Sequence, residues 1–210
     1  LDDAIRLLGI PCVDNLVMLH SIKSLFIIQN PKLKQLFNVA WKRQTAKAAM
    51  SLFLARKLGI NPADEALVAS LLSEVGTLAI LSALTEVKNT PDLKTYYSLC
   101  RQYSKSLGSI ILKKWSLDSH YTDVIKHCGD WQPHTSTSAT LAALNISDII
   151  NLALYHSIAL ANKDHNLPPL TQLAAFKKLS APFNLTDQNG LLTLVSEHLG
   201  EIGRAAKTLH

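Results

Sequence analysis

Two polar residues in the middle of the chain, Ser73 and Glu74, interrupt an apolar stretch that runs from Leu71 to Leu78. A carboxylate among apolar side chains must be hydrogen-bonded, paired with a cation or close to the surface. Glu74 could act as a general base or form one half of a structural ion pair. The sequence favours the ion pair, with Arg43 of the preceding helix as the partner.

The other group of side chains that could bind a metal comprises His120, His127, Cys128 and Asp130. Surface or partly satisfied polar positions explain this group better than a zinc site does. Adjacent helical residues point about 100° apart, which also argues against His127 and Cys128 as a nucleophile pair. GxSxG, Walker, GxGxxG and HExxH motifs are absent from the sequence. We therefore predict no catalytic residue, no bound metal and no cofactor.

The composition indicates a folded helical protein. The 210 residues are 48% hydrophobic and 18% charged, which excludes a disordered chain. Only 8 glycines and 8 prolines are present, too few for the many turns of a sandwich or barrel. The net charge of +5 comes from dispersed lysines, so a solvated surface is favoured over nucleic-acid binding.

The cysteines, the apolar runs and the start of the sequence indicate where in the cell the protein is located. Cys12, Cys100 and Cys128 are far apart and odd in number, which indicates reduced thiols in the cytoplasm. The sequence contains no run of about 18 uninterrupted apolar residues, so we predict no membrane insertion. The start, at Leu1, has neither a signal peptide nor an initiator methionine, and we expect the chain to be part of a longer protein.

Helical periodicity covers most of the chain. Predicted N-caps are Asp14, Asn30, Asn61 and Ser119, and Gly59 is a predicted helix end. The predicted helices are 14–26, 31–58, 62–84, 91–99, 107–115, 119–127 and 139–161, with a loop at 130–138 and two further helices in 170–210. We divide the chain into a helical domain over 1–165 and a C-terminal helical extension over 166–210 that packs on it.

Several segments, in order, resemble the HDOD domain, a degenerate branch of the HD/HD-GYP phosphohydrolase superfamily. Residues 3–9 resemble its Ala-Ile-x-x-Leu-Gly turn, and residues 41–44 resemble its Trp-x-His-Ser helix. Residues 71–76 match the helix of the His-Asp doublet. Residues 107–112 resemble its Val-Gly-Ala-x-Leu stretch, and residues 115–117 resemble the Trp-x-Leu-Pro stretch that follows. Residues 124–128 resemble the segment that ends in a His-His pair. The resemblance implies an all-α, HD-superfamily-like helical bundle.

The metal ligands of the superfamily are mostly replaced in this chain. By resemblance, Ser73 and Glu74 stand for the His-Asp doublet that holds the catalytic metal. The vestigial pocket comprises Arg43, Ser73, Glu74, Ser104, His127, Cys128 and Asp148, of which only His127, and Asp148 more distantly, match a ligand. A divalent-metal site normally needs at least three protein ligands, and Arg43 adds a positive charge at a histidine position. The resemblance therefore implies a pseudoenzyme.

By resemblance, the chain is a non-catalytic module of bacterial signal transduction that acts through protein–protein interaction. Its partners would be a histidine kinase, a response regulator or a cyclic-dinucleotide enzyme. Two alternatives stay open. The vestigial pocket could bind a small anion such as a nucleotide or cyclic dinucleotide, with Arg43 and His127 on phosphate and Glu74 on base or sugar. Residual metal-dependent phosphohydrolase activity is the other alternative.

Overall fold

α-Helices joined by turns and 3-10 segments make up the described part of the chain. The computed structural model describes residues 17–18, 20–26, 28, 30–87, 91–132, 143–162 and 166–209. Within those ranges the β-structure is a single bridge between Thr186 and Leu192, so the all-α prediction is confirmed. The motif at residues 3–9, Cys12 and the predicted cap Asp14 lie outside the described residues.

The longest helix, α1, spans Pro31–Lys57. Asn30 begins it by accepting a hydrogen bond from the backbone nitrogen of Lys32 at 3.0 Å. Pro31 suits the first position, where an amide hydrogen would have no partner within the helix. The helix ends just before Gly59, whose φ of +74° is a conformation that glycine adopts without strain. Both ends agree with the sequence prediction.

The predicted helix 62–84 is wrong in one respect, because the structure divides it in two. Helix α2 spans Ala63–Leu72, and helix α3 spans Val75–Ala83, followed by a 3-10 turn at Leu84–Glu86. At the break the hydroxyl of Ser73 donates a hydrogen bond to the backbone oxygen of Ser70 at 2.7 Å, which competes with regular helical bonding.

Two predicted caps are also corrected. Pro62 occupies the cap position of α2, with no side-chain hydrogen bond, while the Asn61 amide donates to the backbone oxygen of Gly59 at 3.4 Å. Asp118 rather than Ser119 caps the later helix, by accepting from the backbone nitrogen of His120 at 3.1 Å. In each case the predicted cap is one residue away from the observed cap position.

Helix α4 spans Leu93–Lys114, and helix α5 spans Ser119–His127. The sequence predicted two helices, 91–99 and 107–115, in place of α4, and that prediction is wrong. Residues 100–106 contain neither glycine nor proline, so nothing between the two predicted segments ends the helix.

Helix α6 spans Ile146–Ala161 and begins at a capping box in which the side chains of Asn145 and Asp148 each bond to the other's backbone nitrogen. The predicted start at 139 is wrong, because residues 143–145 are not helical. Residues 166–209, the described part of the C-terminal region, contain three α-helices rather than the two predicted. They are α7 (Ala174–Lys177), α8 (Thr193–Ser196) and α9 (Leu199–Thr208), preceded by a 3-10 turn at Leu170–Gln172.

Helix α1 contributes to two hydrophobic clusters. Its N-terminal half packs with α2, α3, α4 and α5 through buried residues that include Trp41, Leu71, Leu78, Leu112 and Ile125. Its C-terminal half packs with α6 and the C-terminal region through residues that include Leu54, Ile149, Leu170, Leu192 and Ile202. The C-terminal region therefore shares a core with α1 and α6, while the division at residue 165 stays a prediction.

Residues 63–86 are long and apolar enough to cross a membrane by length and composition alone. Most of this segment is buried inside the fold, as in the core helices of soluble proteins, and the break at Ser73 and Glu74 divides it. The burial is consistent with a soluble protein.

A buried imidazole ties the C-terminal region to α6. His156 is fully buried; its Nδ1–H donates to the backbone oxygen of Leu152 at 2.6 Å. Its Nε2 accepts from the backbone nitrogen of Leu192 at 2.9 Å, which requires the neutral ring. Burial lowers the pKa of His156 from 6.5 to about 4.

We expect the free energy of unfolding to fall as the pH drops from 6.5 towards 4. The unfolded chain takes up a proton on His156 in this window while the folded protein does not, so acid favours unfolding. The two pKa values correspond to about 3 kcal/mol. Urea unfolding across this pH range measures the slope, and His156→Leu should reduce it. An unchanged slope in that variant would show that His156 is not the titrating group.

Candidate functional site

A buried ammonium lies at the break between α2 and α3. The Nζ atom of Lys47, on α1, donates to the Ser73 hydroxyl at 2.9 Å and forms a salt bridge with the Glu74 carboxylate. The Lys47 side chain is 3% exposed and that of Glu74 is 31% exposed. We call Lys47, Ser73 and Glu74 the ammonium cluster. The cation is thus enclosed while its counter-ion stays in contact with solvent.

Helix packing positions this cluster. Helix α1 packs along α2, and one turn before Lys47 the Gln44 amide nitrogen donates to the backbone oxygen of Leu71. This buried bond holds the end of α2 against α1, so the first residues after it face the Lys47 side chain. The break between α2 and α3 therefore directs two successive side chains, Ser73 and Glu74, at the Lys47 ammonium.

The protonated state of Lys47 is stabilised by its partner. Burial by itself lowers the pKa of Lys47, but attraction to the Glu74 carboxylate and its hydrogen bond outweigh that effect. The net pKa is raised above the ordinary value of 10.5, despite some repulsion from Arg43. Lys47 is therefore a fixed positive charge at neutral pH and is unsuited to act as a nucleophile or base.

The thiol of Cys128 adjoins the ammonium cluster through the Ser73 hydroxyl. Burial raises the pKa of Cys128, and the nearby Lys47 charge only partly opposes this, so the thiol stays protonated. Asn151 of α6 holds this end of α5 by accepting from the Gly129 nitrogen at 2.7 Å and donating to the His127 oxygen at 3.1 Å. A protonated, half-buried thiol is a poor nucleophile.

Helices α3 and α4 meet at an unusually close backbone contact. A Cβ atom placed on Gly76 would overlap the backbone oxygen of Ser104 and lie 2.8 Å from the backbone nitrogen of Gly108. Only glycine allows this approach. Ser104 thus contributes its main chain to the packing that sets the direction of α3 and, through it, of Glu74.

The predicted partner of Glu74 is wrong. We expected Arg43, but Lys47, one turn further along α1, forms the salt bridge, because Lys47 faces α2 while Arg43 is exposed. Arg43 and Glu74 both line a cavity beside the cluster.

The remaining predicted site residues have other partners. His127 Nδ1 lies 3.5 Å from the Asp130 carboxylate, and its side chain is 45% exposed. Asp148 is committed to the α6 capping box and to a 2.8 Å ion pair with Lys178, both side chains being 11% exposed. The structure thus brings Arg43, Ser73, Glu74 and Cys128 to one region, and gives His127 and Asp148 separate contacts.

The cluster does not fit a divalent metal. Both polar side chains at the break, Ser73 and Glu74, contact the Lys47 ammonium. A metal ion beside that ammonium would be repelled and would compete for the one carboxylate. No group of three His, Cys, Asp or Glu side chains suited to a metal occurs among the described residues.

Lys47 is the functional residue that sequence reasoning missed. It lies four residues after Arg43, and the prediction treated the dispersed lysines of the chain as a solvated surface. Its immediate neighbours are Ala46, Ala48 and Ala49, small apolar residues typical of a helix face that packs closely. A lysine in the middle of such a run was the available signal.

Comparison with models of protein families matches residues 1–130 of the chain to the HDOD domain. Searches of curated proteins and of solved structures find no match. The matched residues include the ammonium cluster, Cys128 and helices α1 to α5, while α6 and the C-terminal region follow the matched part.

Proposed function

The chain belongs to the HDOD domain family, and on that basis we propose that it is a non-catalytic signalling module that acts by binding other proteins. Its partners would be components of a bacterial regulatory pathway in the cytoplasm, namely a histidine kinase, a response regulator or a cyclic-dinucleotide enzyme. The module would present a helical surface whose affinity for the partner changes with a signal.

The observation that carries this proposal is the salt bridge between Lys47 and Glu74. Metal-dependent hydrolysis of a phosphate ester needs a cation that activates water and polarises the phosphate. In this chain the protein's own ammonium contacts the carboxylate that such a cation would use. An ammonium neutralises the carboxylate, but it has no open coordination position. It therefore cannot bind a water molecule and lower the pKa of that water as a metal ion does. The charge balance of the site is kept and its hydrolytic chemistry is lost.

Exposed apolar side chains on α4 support the protein-binding part of the proposal. Large apolar residues along this helix are between 45% and 56% exposed, namely Leu93, Tyr97, Tyr103 and Ile110. Apolar and aromatic surface of this kind gains free energy when a partner covers it. Helix α4 is therefore the surface that we propose for partner contact.

Catalysis is tested with a generic phosphodiester, bis(p-nitrophenyl) phosphate, in the presence of Mn²⁺, Mg²⁺ or Zn²⁺. We expect no turnover above that of buffer with the metal alone. The matched control is Glu74→Gln, which removes the one carboxylate of the cluster. Turnover by the natural chain that disappears in Glu74→Gln would show that the site is a metallohydrolase and would refute the proposal.

Partner contact is tested by cross-linking in native cells followed by identification of the recovered proteins. Ile110→Arg should reduce recovery of a signalling protein, because it places a charge among the exposed apolar side chains of α4. Leu185→Arg makes the same change at another exposed position, 57% exposed and remote in sequence, and should leave recovery unchanged. Equal recovery with both variants would exclude α4 as the contact surface.

A further inference from the structure

A cavity of about 530 Å³ lies beside the ammonium cluster. Its walls come from α1, α3 and α4 on one side and from α6 and α9 on the other. We call it the α1–α9 cavity. Helices α6 and α9 lie beyond the residues that match the HDOD family, so the matched part of the chain supplies only part of this cavity. Its volume falls within the range of roughly 300–1,000 Å³ that is typical of small-molecule sites.

The wall of the α1–α9 cavity is mainly apolar, with Leu36, Met50, Tyr96, Ile158 and Ile202 as examples. Four further apolar lining residues stay between 39% and 49% exposed in the folded protein, namely Val39, Tyr97, Leu160 and Leu199. Exposed apolar surface inside a concave site favours a ligand with a substantial hydrocarbon part, because burial removes that surface from water.

The charged residues of the cavity favour an anion. Lys42 and Arg43 contribute two positive charges, and the Lys47 ammonium is neutralised by Glu74. Glu74 is the only acidic residue in the lining among the described residues. Within the same part of the chain, no hydrogen bond or ion pair engages the Arg43 guanidinium, whose fork of donors matches a carboxylate.

We propose that the α1–α9 cavity binds a long-chain carboxylate, with the hydrocarbon chain along the apolar wall and the carboxylate at Arg43. A nucleotide fits less well, because few polar groups in the lining are available for a base and a sugar. The Thr77 hydroxyl donates to Glu74 and the Ser157 hydroxyl donates to the Ala153 oxygen, so neither donor is free for a base or a sugar. This binding is a second property of the protein and does not depend on whether the ammonium cluster is catalytic.

The test measures binding of decanoate, dodecanoate and tetradecanoate to the whole chain by isothermal titration calorimetry, below their micelle concentrations. We expect one saturable site, with affinity that rises roughly threefold to fourfold for each added CH₂ group. Tetradecanol has the same chain without the charge and should bind more weakly. Arg43→Gln should lower the affinity for tetradecanoate by about fivefold and remove most of the preference over the alcohol.

A variant that fills the cavity provides the control for location. Gly203 of α9 lines the cavity, and a Cβ atom at this position meets nothing within 4 Å, so Gly203→Phe should occupy the space and abolish binding while the protein stays folded. Gly200→Phe makes the same change on the same helix outside the lining and should bind normally. Absence of any binding, binding that survives Gly203→Phe, or tighter binding of a cyclic dinucleotide at this cavity would overturn the proposal.

Discussion

Replacement of Glu74 by glutamine is expected to destabilise the protein by about 3 kcal/mol. The substitution keeps the size of the side chain but leaves the Lys47 ammonium, whose side chain is 3% exposed, without a negatively charged partner. A buried charge without a counter-ion is among the costliest defects in a folded protein. Urea unfolding at neutral pH measures the loss.

The matched variant Lys47→Met should cost less, about 1–2 kcal/mol, because the orphaned Glu74 is 31% exposed and water can solvate it. The double variant Lys47→Met/Glu74→Gln removes both charges and should recover most of the stability lost in Glu74→Gln. Equal losses in the two single variants, with no recovery in the double, would show that the salt bridge does not hold the site together.

The dependence of stability on alkaline pH should have opposite signs in the natural chain and in Glu74→Gln. In the natural chain the raised pKa of Lys47 gives stability that is complete below pH 10.5 and is lost as the pH rises above it. In Glu74→Gln burial and the Arg43 charge act without the attraction of the Glu74 carboxylate, so the pKa of Lys47 should fall below that of the unfolded chain. The variant should then become more stable as the pH rises towards 10.5, because the unfolded state binds the extra proton.

Substitution of Gly76 by alanine is the second large effect, with an expected loss of about 3 kcal/mol or more. The added methyl group would overlap the backbone oxygen of Ser104 and approach the Gly108 nitrogen. Both are main-chain atoms of α4, which cannot rotate away as a side chain does. Helices α3 and α4 would have to separate, and the largest helix–helix contact of the fold would be disturbed. Thermal or urea unfolding measures the effect.

Gly203→Ala is the matched control, because it makes the same change within a helix where the new Cβ meets open space. We expect it to stabilise the protein by about 0.5–1 kcal/mol, since alanine is the better helix former. A Gly76→Ala variant as stable as Gly203→Ala would show that α3 and α4 do not approach each other closely.

Most helices could be predicted because local chemistry marks their ends. Asn30 and Pro31 begin α1 as predicted, and Gly59 follows its end, since a cap, a proline and a glycine act within a few residues. Where no such marker was present, the prediction failed. The segment between residues 99 and 107 was predicted to interrupt the helix, although it contains no helix breaker, and α4 is continuous there.

The candidate site was predicted only in part, because its decisive contact joins residues distant in sequence. Ser73 and Glu74 could be singled out by their polarity within an apolar stretch. The break between α2 and α3 and the choice of Lys47 over Arg43 depend on how α1 packs against α2, which periodicity alone does not determine. A lysine that reads as surface in the sequence is therefore the enclosed cation of the site.

The most direct test of the account is a titration of the whole chain with Mn²⁺, monitored by the electron paramagnetic resonance signal of the free ion. If the Lys47 ammonium has taken over the role of a metal, the chain should leave the signal of free Mn²⁺ unchanged up to millimolar concentrations. Stoichiometric loss of the signal that is abolished by Glu74→Gln would place a metal ion at the cluster and would contradict the account.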